Sequence, residues 1–499
     1  MLDKKSSISS RNYTLDFGAG INNNGSVRLT DHKKNIESDI GIAIDDQAFQ
    51  YRVNQGFPSV VADLIDLAIA IHISDRLSFQ DLHHQQTSIC VVLPVRHPEI
   101  LNTQLFQEKL QDLLKWSTGS KWIFEFKNRN VSERMQTSLP IATTDCEVAL
   151  WSGGLDALLG VYDRIKTYPE KSFVLFGSGG STNVYHLQEE VAKKVESIFP
   201  NRSTLYRFYI RISESNTVTK NKITRTRGLV FAMLGAACAS LMGQQELCFY
   251  ENGIGAINLP YRSSAIGLDH TRSVHPLTLL KVSDIISTLL GETFRVWNPF
   301  LFSTKVEMCR KLSEDRRVDL PPITKSCDSP HRKKTPQCGY CSSCILRRQS
   351  LAAAKLEDTT RYLILHGNYQ PATDPSISLR NMLVQVDTLQ SLLNTSDQPE
   401  IQWRNLAHKF PELDDIVDNC SMVEKLTTCE MKIKLIRLYQ NYVLEWNTVR
   451  SQLSVGLIST NDIESSNESP RRKRTGYLNS FLPNILTPQS GGVFTLFVQ

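Results

Sequence analysis

The chain has 499 residues, of which 41% are hydrophobic and 21% are charged, close to the proportions of an ordinary globular protein. This composition excludes whole-chain disorder, a collagen and a coiled coil, and the length suggests about two to four domains. The net charge of +5 is smaller than the clustered basic excess that a nucleic-acid-binding chain carries, so the composition indicates no clear nucleic-acid partner.

The cysteine content and the apolar stretches indicate the cellular compartment of the protein. Eleven cysteines in 499 residues do not make a disulfide scaffold, and the opening MLDKKSSISS has no apolar signal-peptide core. We therefore expect a cytoplasmic protein, in which clustered cysteines favour a metal site over disulfides. The uncharged stretch from Gly228 to Gln245 is short for a membrane span and predicts a buried core helix. We expect no membrane association.

Residues 1–140 are predicted to form an α+β amino-terminal accessory domain. Apolar residues recur at helical spacing in VVADLIDLAIAIHISDRL, from Val60 to Leu77, which indicates an amphipathic helix. SICVVLPVRHP predicts a buried strand, ILNTQLFQEKLQDLLKW a helix, and KWIFEF a further strand. No residue pattern in this region indicates chemistry.

Residues 141–356 alternate between short apolar runs and helical patterns. EVALW, KSFVLFG, TLYRFYIRI and ELCFYENG are the strand candidates. This alternation predicts an α/β domain with a doubly wound parallel sheet, whose ligand binds at the carboxyl ends of the strands.

Residues 357–499 have mainly helical patterns, as in VEKLTTCEMKIKLIRLYQNYVLEW, and predict a helical carboxy-terminal region. The polar run at about 458–476 predicts a mobile segment. Its basic stretch from Arg471 to Arg474 favours a solvated linker over a contact with phosphate or with an acidic protein. We expect these helices to dock a partner.

The strongest local motif is Ser152-Gly153-Gly154-Leu155-Asp156, between a predicted strand and a predicted helix. Two glycines allow the backbone to approach an anion, and the helix start offers free N–H groups and the positive end of its dipole. Ser152 adds a hydroxyl donor, and Asp156 either caps the helix or shapes the loop. The motif is not a Walker loop, since no GxxxxGK[ST] occurs. It predicts a phosphate cradle, and an ordinary tight turn is the alternative.

The second motif is a group of four cysteines inside CDSPHRKKTPQCGYCSSCILRRQS, namely Cys327, Cys338, Cys341 and Cys344. Two close CxxC steps with one further thiol suit a tetrahedral structural zinc. An iron–sulfur cluster is the alternative, because it also takes four cysteines. Such a site leaves no open ligand position, so we expect it to stabilise structure.

The SGGxD loop after a strand resembles the pyrophosphate loop of the PP-loop ATP pyrophosphatase superfamily. That loop usually has Ser or Thr after the Asp, whereas this chain has Ala157, so one hydroxyl contact to pyrophosphate is absent. Together with C…CGxCxxCxxR, the loop resembles the QueC family of 7-cyano-7-deazaguanine synthases over about residues 147–350. TRTRG, ENGIGAINLP, TRSVHP and NPFLFSTKVEM resemble the QueC-like, QatC-type subunits of the Qat and type IV CBASS antiphage operons.

This resemblance implies an ATP-dependent, AMP-forming C–N ligase with magnesium, ATP as co-substrate, a 7-deazaguanine carboxylate and protein partners from a defence operon. The ATP contacts it implies are Ser152, Gly153, Gly154, Leu155, Asp156 and Ala157. Catalytic roles fall on Asp156, Arg225, Arg227 and Lys305. Substrate contacts fall on Glu251 and Asn252 and, more weakly, on Arg262 and Arg272, with His275 either a contact or a turn residue. A solvated helix start remains the alternative for both arginines, and a solvated helix lysine for Lys305.

Three functions remain open at this point. The first is activation of a deazaguanine carboxylate that ends as an amide or a nitrile, or on a protein amine. The second is a PP-loop fold that binds a nucleotide or a guanine-like ligand without turnover, which Ala157 favours. The third is a tRNA thiolase, which needs a basic face or a reactive cysteine pair. Cys146, just before the loop, looks buried, so this third function has the least support.

Overall fold

The computed structural model describes residues 11–18, 25–45, 58–78, 87–129, 145–179, 182–212, 221, 224–261, 272–327, 337–363 and 375–454. Arg262 and the segment 458–476, with its predicted mobility, lie outside these residues. The predicted domain boundary near residue 140 also falls outside them.

Within the described residues, ten strands form one mixed sheet. They are β1 (Arg11–Asp16), β2 (Ser26–Asp31), β3 (Ile36–Asp45), β4 (Thr87–Val95), β5 (Lys121–Asn128), β6 (Cys146–Leu150), β7 (Ser172–Gly179), β8 (Ser203–Ile212), β9 (Glu246–Cys248) and β10 (Arg295–Trp297). Their order is β10-β9-β6-β7-β8-β3-β2-β1-β4-β5. The pairs β1–β2, β2–β3 and β3–β8 are antiparallel, and the other neighbours are parallel.

The sheet is continuous from the amino-terminal strands to the strands of the predicted α/β region. The antiparallel pair β3–β8 joins the two parts, with Ile44 opposite Ile210. On the far side of this join, the order β10-β9-β6-β7-β8 is parallel throughout. The expectation of an α/β fold with a largely parallel sheet is thus confirmed.

Among the helices of the described residues, seven lie between β3 and residue 257. They are α1 (Ser59–Leu77), α2 (Pro98–Leu101), α3 (Gln104–Thr118), α4 (Leu155–Thr167), α5 (Thr182–Ile198), α6 (Arg227–Leu241) and α7 (Gly253–Ile257). A further seven are α8 (Pro276–Leu290), α9 (Lys305–Glu314), α10 (Ser342–Ala353), α11 (Pro375–Leu393), α12 (Pro399–Lys409), α13 (Glu412–Cys420) and α14 (Thr428–Ser454).

The parallel half of the sheet has helices on both faces. Alternate residues of β7 point to opposite cores, because side chains of a strand alternate between the two faces of the sheet. Val174 and Phe176 belong to the core with α1, α6 and α8, whereas Phe173 and Leu175 belong to the core with α4, α5 and α9. Since a strand buried on both faces needs a continuous apolar run, KSFVLFG has the composition that this position requires.

The stretch from Gly228 onward forms α6, which is buried nearly all round, as expected. Among the helices that the structure describes, none combines the length and the apolar character that crossing a bilayer requires. Helices α11 to α14 pack together with α7 in a third core.

Candidate active site and metal centre

The SGGLD motif forms a tight connection from β6 into α4. Gly153 has a φ of +72°, a left-handed conformation that favours glycine. A Cβ at Gly153 would lie 3.1 Å from Cγ of Leu187 and 3.2 Å from the backbone nitrogen of Gln188. Gly154 is the N-cap of α4, and no side chain caps the first turn, so its N–H groups point outward from the helix start. The loop therefore has the backbone geometry that an anion needs.

Gln188 on α5 fixes the start of this loop. Its Nε2 donates to the backbone oxygens of Trp151 at 3.0 Å and Ser178 at 3.3 Å. In return, the indole N–H of Trp151 donates to the backbone oxygen of Gln188 at 2.9 Å. Side-chain amides in polar helical patterns are common, so the sequence alone gave no signal for Gln188 as the residue that supports the loop.

The exposed side of the loop consists of Ser152 and the α4 start. The Ser152 hydroxyl accepts from the N–H of Gly154 at 3.1 Å, and its side chain is exposed. Leu155 and Ala157 are buried in the core beside α5. Of the six residues predicted to contact ATP, these two therefore offer backbone N–H groups rather than side chains.

Four of the predicted site residues meet at the carboxyl ends of β6 and β9. Nζ of Lys305 lies 2.8 Å from Oδ2 of Asp156, and Nδ2 of Asn252 donates to Oδ1 of Asp156 at 3.0 Å and to Oε1 of Glu251 at 2.7 Å. The Glu251 carboxyl also interacts electrostatically with Asp156. Asp156, Glu251, Asn252 and Lys305, called the acid–lysine cluster below, come from three separate segments of the chain.

Burial decides the protonation of this cluster. Burial raises the pKa of Glu251 to about 8, with a further rise from Asp156, against the opposing effect of Lys305. Burial also lowers the pKa of Lys305, but the carboxyls of Asp156 and Glu251 outweigh it and leave that pKa above its ordinary value. At neutral pH the cluster then holds a protonated Glu251 and a charged Lys305 beside Asp156.

Each member of the cluster is placed by a local backbone feature. Lys305 is the first residue of α9, which Thr304 and Glu307 cap reciprocally in a capping box. Asn252 is the N-cap of α7, and its Oδ1 accepts from the N–H of Gly255 at 2.9 Å. Asn298, which the sequence did not single out, donates from Nδ2 to the backbone oxygen of Glu251 at 2.7 Å. The Asn-Pro start of NPFLFSTKVEM was the available signal for Asn298.

Arg225 and Arg227 lie at the start of α6, on the opposite face of the sheet from α4. Between them, Thr226 donates its N–H at 2.9 Å and its hydroxyl at 2.7 Å to Oδ2 of Asp75 on α1. The guanidinium of Arg227 lies 5.2 Å from the centroid of the Phe231 ring, and burial lowers its pKa. The ion pair and hydrogen bonds given above for the acid–lysine cluster include neither arginine.

Arg272 and His275 lie near α3. The guanidinium of Arg272 stacks 3.8 Å above the Trp116 ring. His275 is the N-cap of α8, and its Nδ1 accepts from the N–H of Leu277 at 3.3 Å. Burial, with a contribution from Arg272, lowers the His275 pKa to about 3, so the ring stays neutral. His275 orders a helix start, which was one of its two expected roles.

The four predicted metal ligands come together. The Sγ atoms of Cys327, Cys338, Cys341 and Cys344 all lie within 4.8 Å of one another, and those of Cys338 and Cys344 are 3.8 Å apart. Metal–thiolate bonds of about 2.3 Å in a tetrahedron place sulfurs about 3.8 Å apart. The cluster can therefore hold one metal ion, as the cysteine spacing predicts.

Arg347, the arginine of the CxxCxxR motif, forms hydrogen bonds with the chain segment that precedes Cys327. It is fully buried and donates to the hydroxyls of Thr324 at 2.8 Å and Thr360 at 2.9 Å, and to the backbone oxygen of Pro321 at 2.5 Å. A Cβ at Gly154 would lie 3.4 Å from the backbone oxygen of Lys325. The segment that leads into Cys327 therefore packs against the SGGLD loop.

Comparison of the chain with protein-family models and with curated proteins finds no match. The class of protein is therefore defined by its own features, namely a mixed α/β protein with a glycine-rich strand–loop–helix, a buried acid–lysine cluster and a four-cysteine centre.

Proposed function

We propose that this protein uses ATP to adenylate a 7-deazaguanine carboxylate, in the manner of QueC-like PP-loop enzymes. The observation that carries the proposal is the acid–lysine cluster at the carboxyl end of β6, directly beside the SGGLD loop. A phosphate-binding loop with a lysine and two acids within hydrogen-bond reach can bind a nucleotide and stabilise charge at its phosphates.

In the proposed reaction, a carboxylate oxygen attacks the α-phosphorus of ATP. The bond from that phosphorus to the bridging oxygen breaks, and pyrophosphate leaves with the electron pair. The acyl-AMP then has a good leaving group, so ammonia or a protein amine attacks its carbonyl carbon, AMP departs and an amide forms. A second adenylation of the amide oxygen allows dehydration to the nitrile. An acyl group transferred to protein would suit a role in antiphage defence.

Each residue of the site has a separate role in the proposed reaction, which follows from its position. The backbone N–H groups of the loop and the Ser152 hydroxyl bind the β and γ phosphates. Asp156 holds Lys305 at the loop, where the lysine charge offsets the charge that builds on pyrophosphate. Arg225 and Arg227 would contact the phosphates only from the opposite face of the sheet, since the start of α6 follows β8 at the same carboxyl edge. Magnesium, when bound, would neutralise part of the charge of the phosphates.

We assign zinc to the four-cysteine centre. Thiolates separated by no more than 4.8 Å surround one ion, whereas an iron–sulfur cluster needs room for several irons and sulfides. Since the Cys327 segment lies against Gly154, the ion would stabilise the loop without taking part in chemistry.

Nucleotide product analysis tests the proposal. Purified protein is incubated with ATP, magnesium and 7-carboxy-7-deazaguanine, with and without ammonia or operon partner proteins. We expect AMP and pyrophosphate that depend on the carboxylate, and mass spectrometry then shows whether the acyl group ends on ammonia or on protein.

The Asp156→Asn variant should abolish AMP formation without unfolding the protein. Asp163→Asn is the matched control, because Asp163 lies on the same helix and pairs with Lys311 of α9 at 2.9 Å. AMP formation retained by Asp156→Asn, or lost equally in the control, contradicts the assignment.

A second candidate is a PP-loop protein that binds nucleotide without turnover. It is favoured by Ala157, which puts a buried methyl group where related loops have a hydroxyl. ATP binding without AMP under every condition would support it, and Ala157→Ser would be the first variant to test for a gain of activity.

A further inference from the structure

Two side chains of α14 bond to the residues that cap the start of α9, where Lys305 lies. Glu445 accepts a hydrogen bond from the hydroxyl of Thr304 at 2.6 Å. Asn441 donates from its Nδ2 to Oε1 of Glu307 at 3.0 Å. Thr304 and Glu307 are the two partners of the capping box, so α14 contacts both side chains that hold the α9 start in place.

These bonds use the hydrogen-bonding groups that the capping box leaves over. The Thr304 hydroxyl oxygen accepts from the N–H of Glu307 at 3.1 Å, while its proton is donated to Glu445. Glu307 accepts the N–H of Thr304 through Oε2 at 2.8 Å and the amide of Asn441 through Oε1. Because the first turn of a helix fixes the direction of its side chains, a change in these bonds would move Lys305.

The same face of α14 also contacts the other side of the acid–lysine cluster. Spacings of three and four residues place Leu438, Asn441 and Glu445 in one row along the helix. A Cβ at Gly253 would lie 2.8 Å from Cδ2 of Leu438, and Gly253 directly follows Asn252, the N-cap of α7. One face of α14 thus contacts the segments that carry two members of the cluster.

A second capping arrangement in the chain shows that such a box can be satisfied internally. Just before α14, Thr427 and Glu430 bond reciprocally, and the Thr427 hydroxyl is donated to Glu430 itself at 2.8 Å. At the start of α9 the equivalent hydroxyl is donated to Glu445 instead. The contact with α14 is therefore an addition to the cap of the helix that carries Lys305.

We propose that Glu445 and Asn441 are positioning residues for Lys305, so that α14 sets the position of the lysine charge at the phosphate loop. Their bonds hold the α9 start, from which Nζ of Lys305 reaches Oδ2 of Asp156 at 2.8 Å. A charge acts on a phosphate only from the correct distance, so supporting residues of this kind control how strongly a site works. The inference rests on the proposed function, since it assigns Lys305 to the phosphates of ATP. It makes the carboxy-terminal helices part of the control of that site.

Calorimetric titration of the full-length protein with ATP and magnesium, without a carboxylate substrate, measures binding separately from catalysis. Glu445→Leu removes the acceptor for Thr304, and we expect it to weaken ATP binding by about fivefold, the net effect of one hydrogen bond. Glu445→Gln retains an acceptor oxygen and should bind ATP within about twofold of the wild type. In the Lys305→Met background, Glu445→Leu should change the affinity by less than about twofold, because the lysine through which it acts is absent.

Gln440→Leu is the matched control, because Gln440 lies on the same helix with similar exposure and bonds to Gln402 of α12 at 3.4 Å. It should leave ATP binding unchanged. The proposal is overturned if Glu445→Leu binds ATP as tightly as the wild type, or if the control weakens binding equally. Equal weakening with and without Lys305 also overturns it, since that result indicates a purely structural role.

Two outcomes separate this inference from the proposed function. The expected pattern of ATP binding in a protein that forms no AMP would refute the proposed function and leave the role of α14 in place. AMP formation together with equal effects of Glu445→Leu and Gln440→Leu would do the reverse, and a wild-type protein that binds no ATP would refute both.

Discussion

The pair Lys305–Asp156 can be broken with a single substitution, Lys305→Met, which keeps most of the side-chain volume and removes the charge. The Lys305 side chain is 5% exposed and that of Asp156 is 14% exposed. A second pair, Lys311–Asp163, joins the same two helices at 2.9 Å with 32% and 25% exposure. Lys311→Met is therefore a matched control that differs mainly in burial.

The magnitude follows from the distance and the burial. At 2.8 Å and an effective dielectric constant of about 20, the attraction between unit charges is about 6 kcal/mol. Desolvation of the two charges offsets roughly half of this, and loss of one partner of a buried pair costs about 3–5 kcal/mol. Asp156 retains Asn252 as a hydrogen-bond partner, so we expect about 3 kcal/mol for Lys305→Met. The control variant Lys311→Met, whose ion pair is partly exposed, should lose at most about 1 kcal/mol of unfolding free energy.

Urea unfolding of both variants and of Asp156→Asn/Lys305→Met measures these differences. The double variant has no unpaired charge at this position, so it should recover about 2 kcal/mol relative to Lys305→Met. Equal losses in Lys305→Met and Lys311→Met would refute the argument that burial makes the first pair strong, as would a double variant that is less stable than Lys305→Met.

Three more predictions concern the loop, the cluster and the metal centre. Gly153→Ala should cost about 2–3 kcal/mol, because it adds close contacts to a left-handed backbone, whereas Gly291→Ala, with a φ of +73° and nothing within 4 Å, should cost about 1 kcal/mol; equal unfolding free energies would exclude the contacts as the cause. The raised pKa of Glu251 means that the folded state holds its proton more tightly, so this contribution is present below pH 4.5 and is lost as the pH rises to about 8. Glu251→Gln should therefore gain stability relative to wild type from pH 5 to pH 9, and parallel curves of unfolding free energy would contradict this. Arg347→Met should cost at least about 3 kcal/mol and reduce the metal content measured by mass spectrometry, whereas Arg348→Met, which loses one hydrogen bond of 3.3 Å to Gly339, should retain the metal.

Much of the site could be predicted because its residues lie in short motifs. SGGLD combines glycines with a helix start, and the cysteine spacing determines which thiols can meet around an ion, so both were visible locally. Glu251 and Asn252 follow a strand candidate, a position where α/β sheets bind ligands. Their contacts with Asp156 and Lys305 could not be predicted in the same way, because the segments are about 50 to 150 residues apart and meet only when the sheet forms.

Other features of the fold and the site could not be predicted from the sequence, because they depend on residues that are distant along the chain. Strands β1 to β3 were not expected from the sequence, and the pairing of β3 with β8 makes the sheet continuous across the predicted boundary between two regions. Gln188 and Asn298 act through hydrogen bonds to distant backbone atoms, and no composition or periodicity reports such bonds.

The sequence by itself determined the alternation of strands and helices, the glycine loop and the four cysteines that can hold a metal, because propensity, periodicity and ligand spacing act over a few residues. Only the tertiary structure decided that Lys305 is buried against Asp156 and that Glu251 keeps its proton near neutral pH. Burial and Coulomb interactions depend on which segments pack together in space, and that packing is a property of the whole fold.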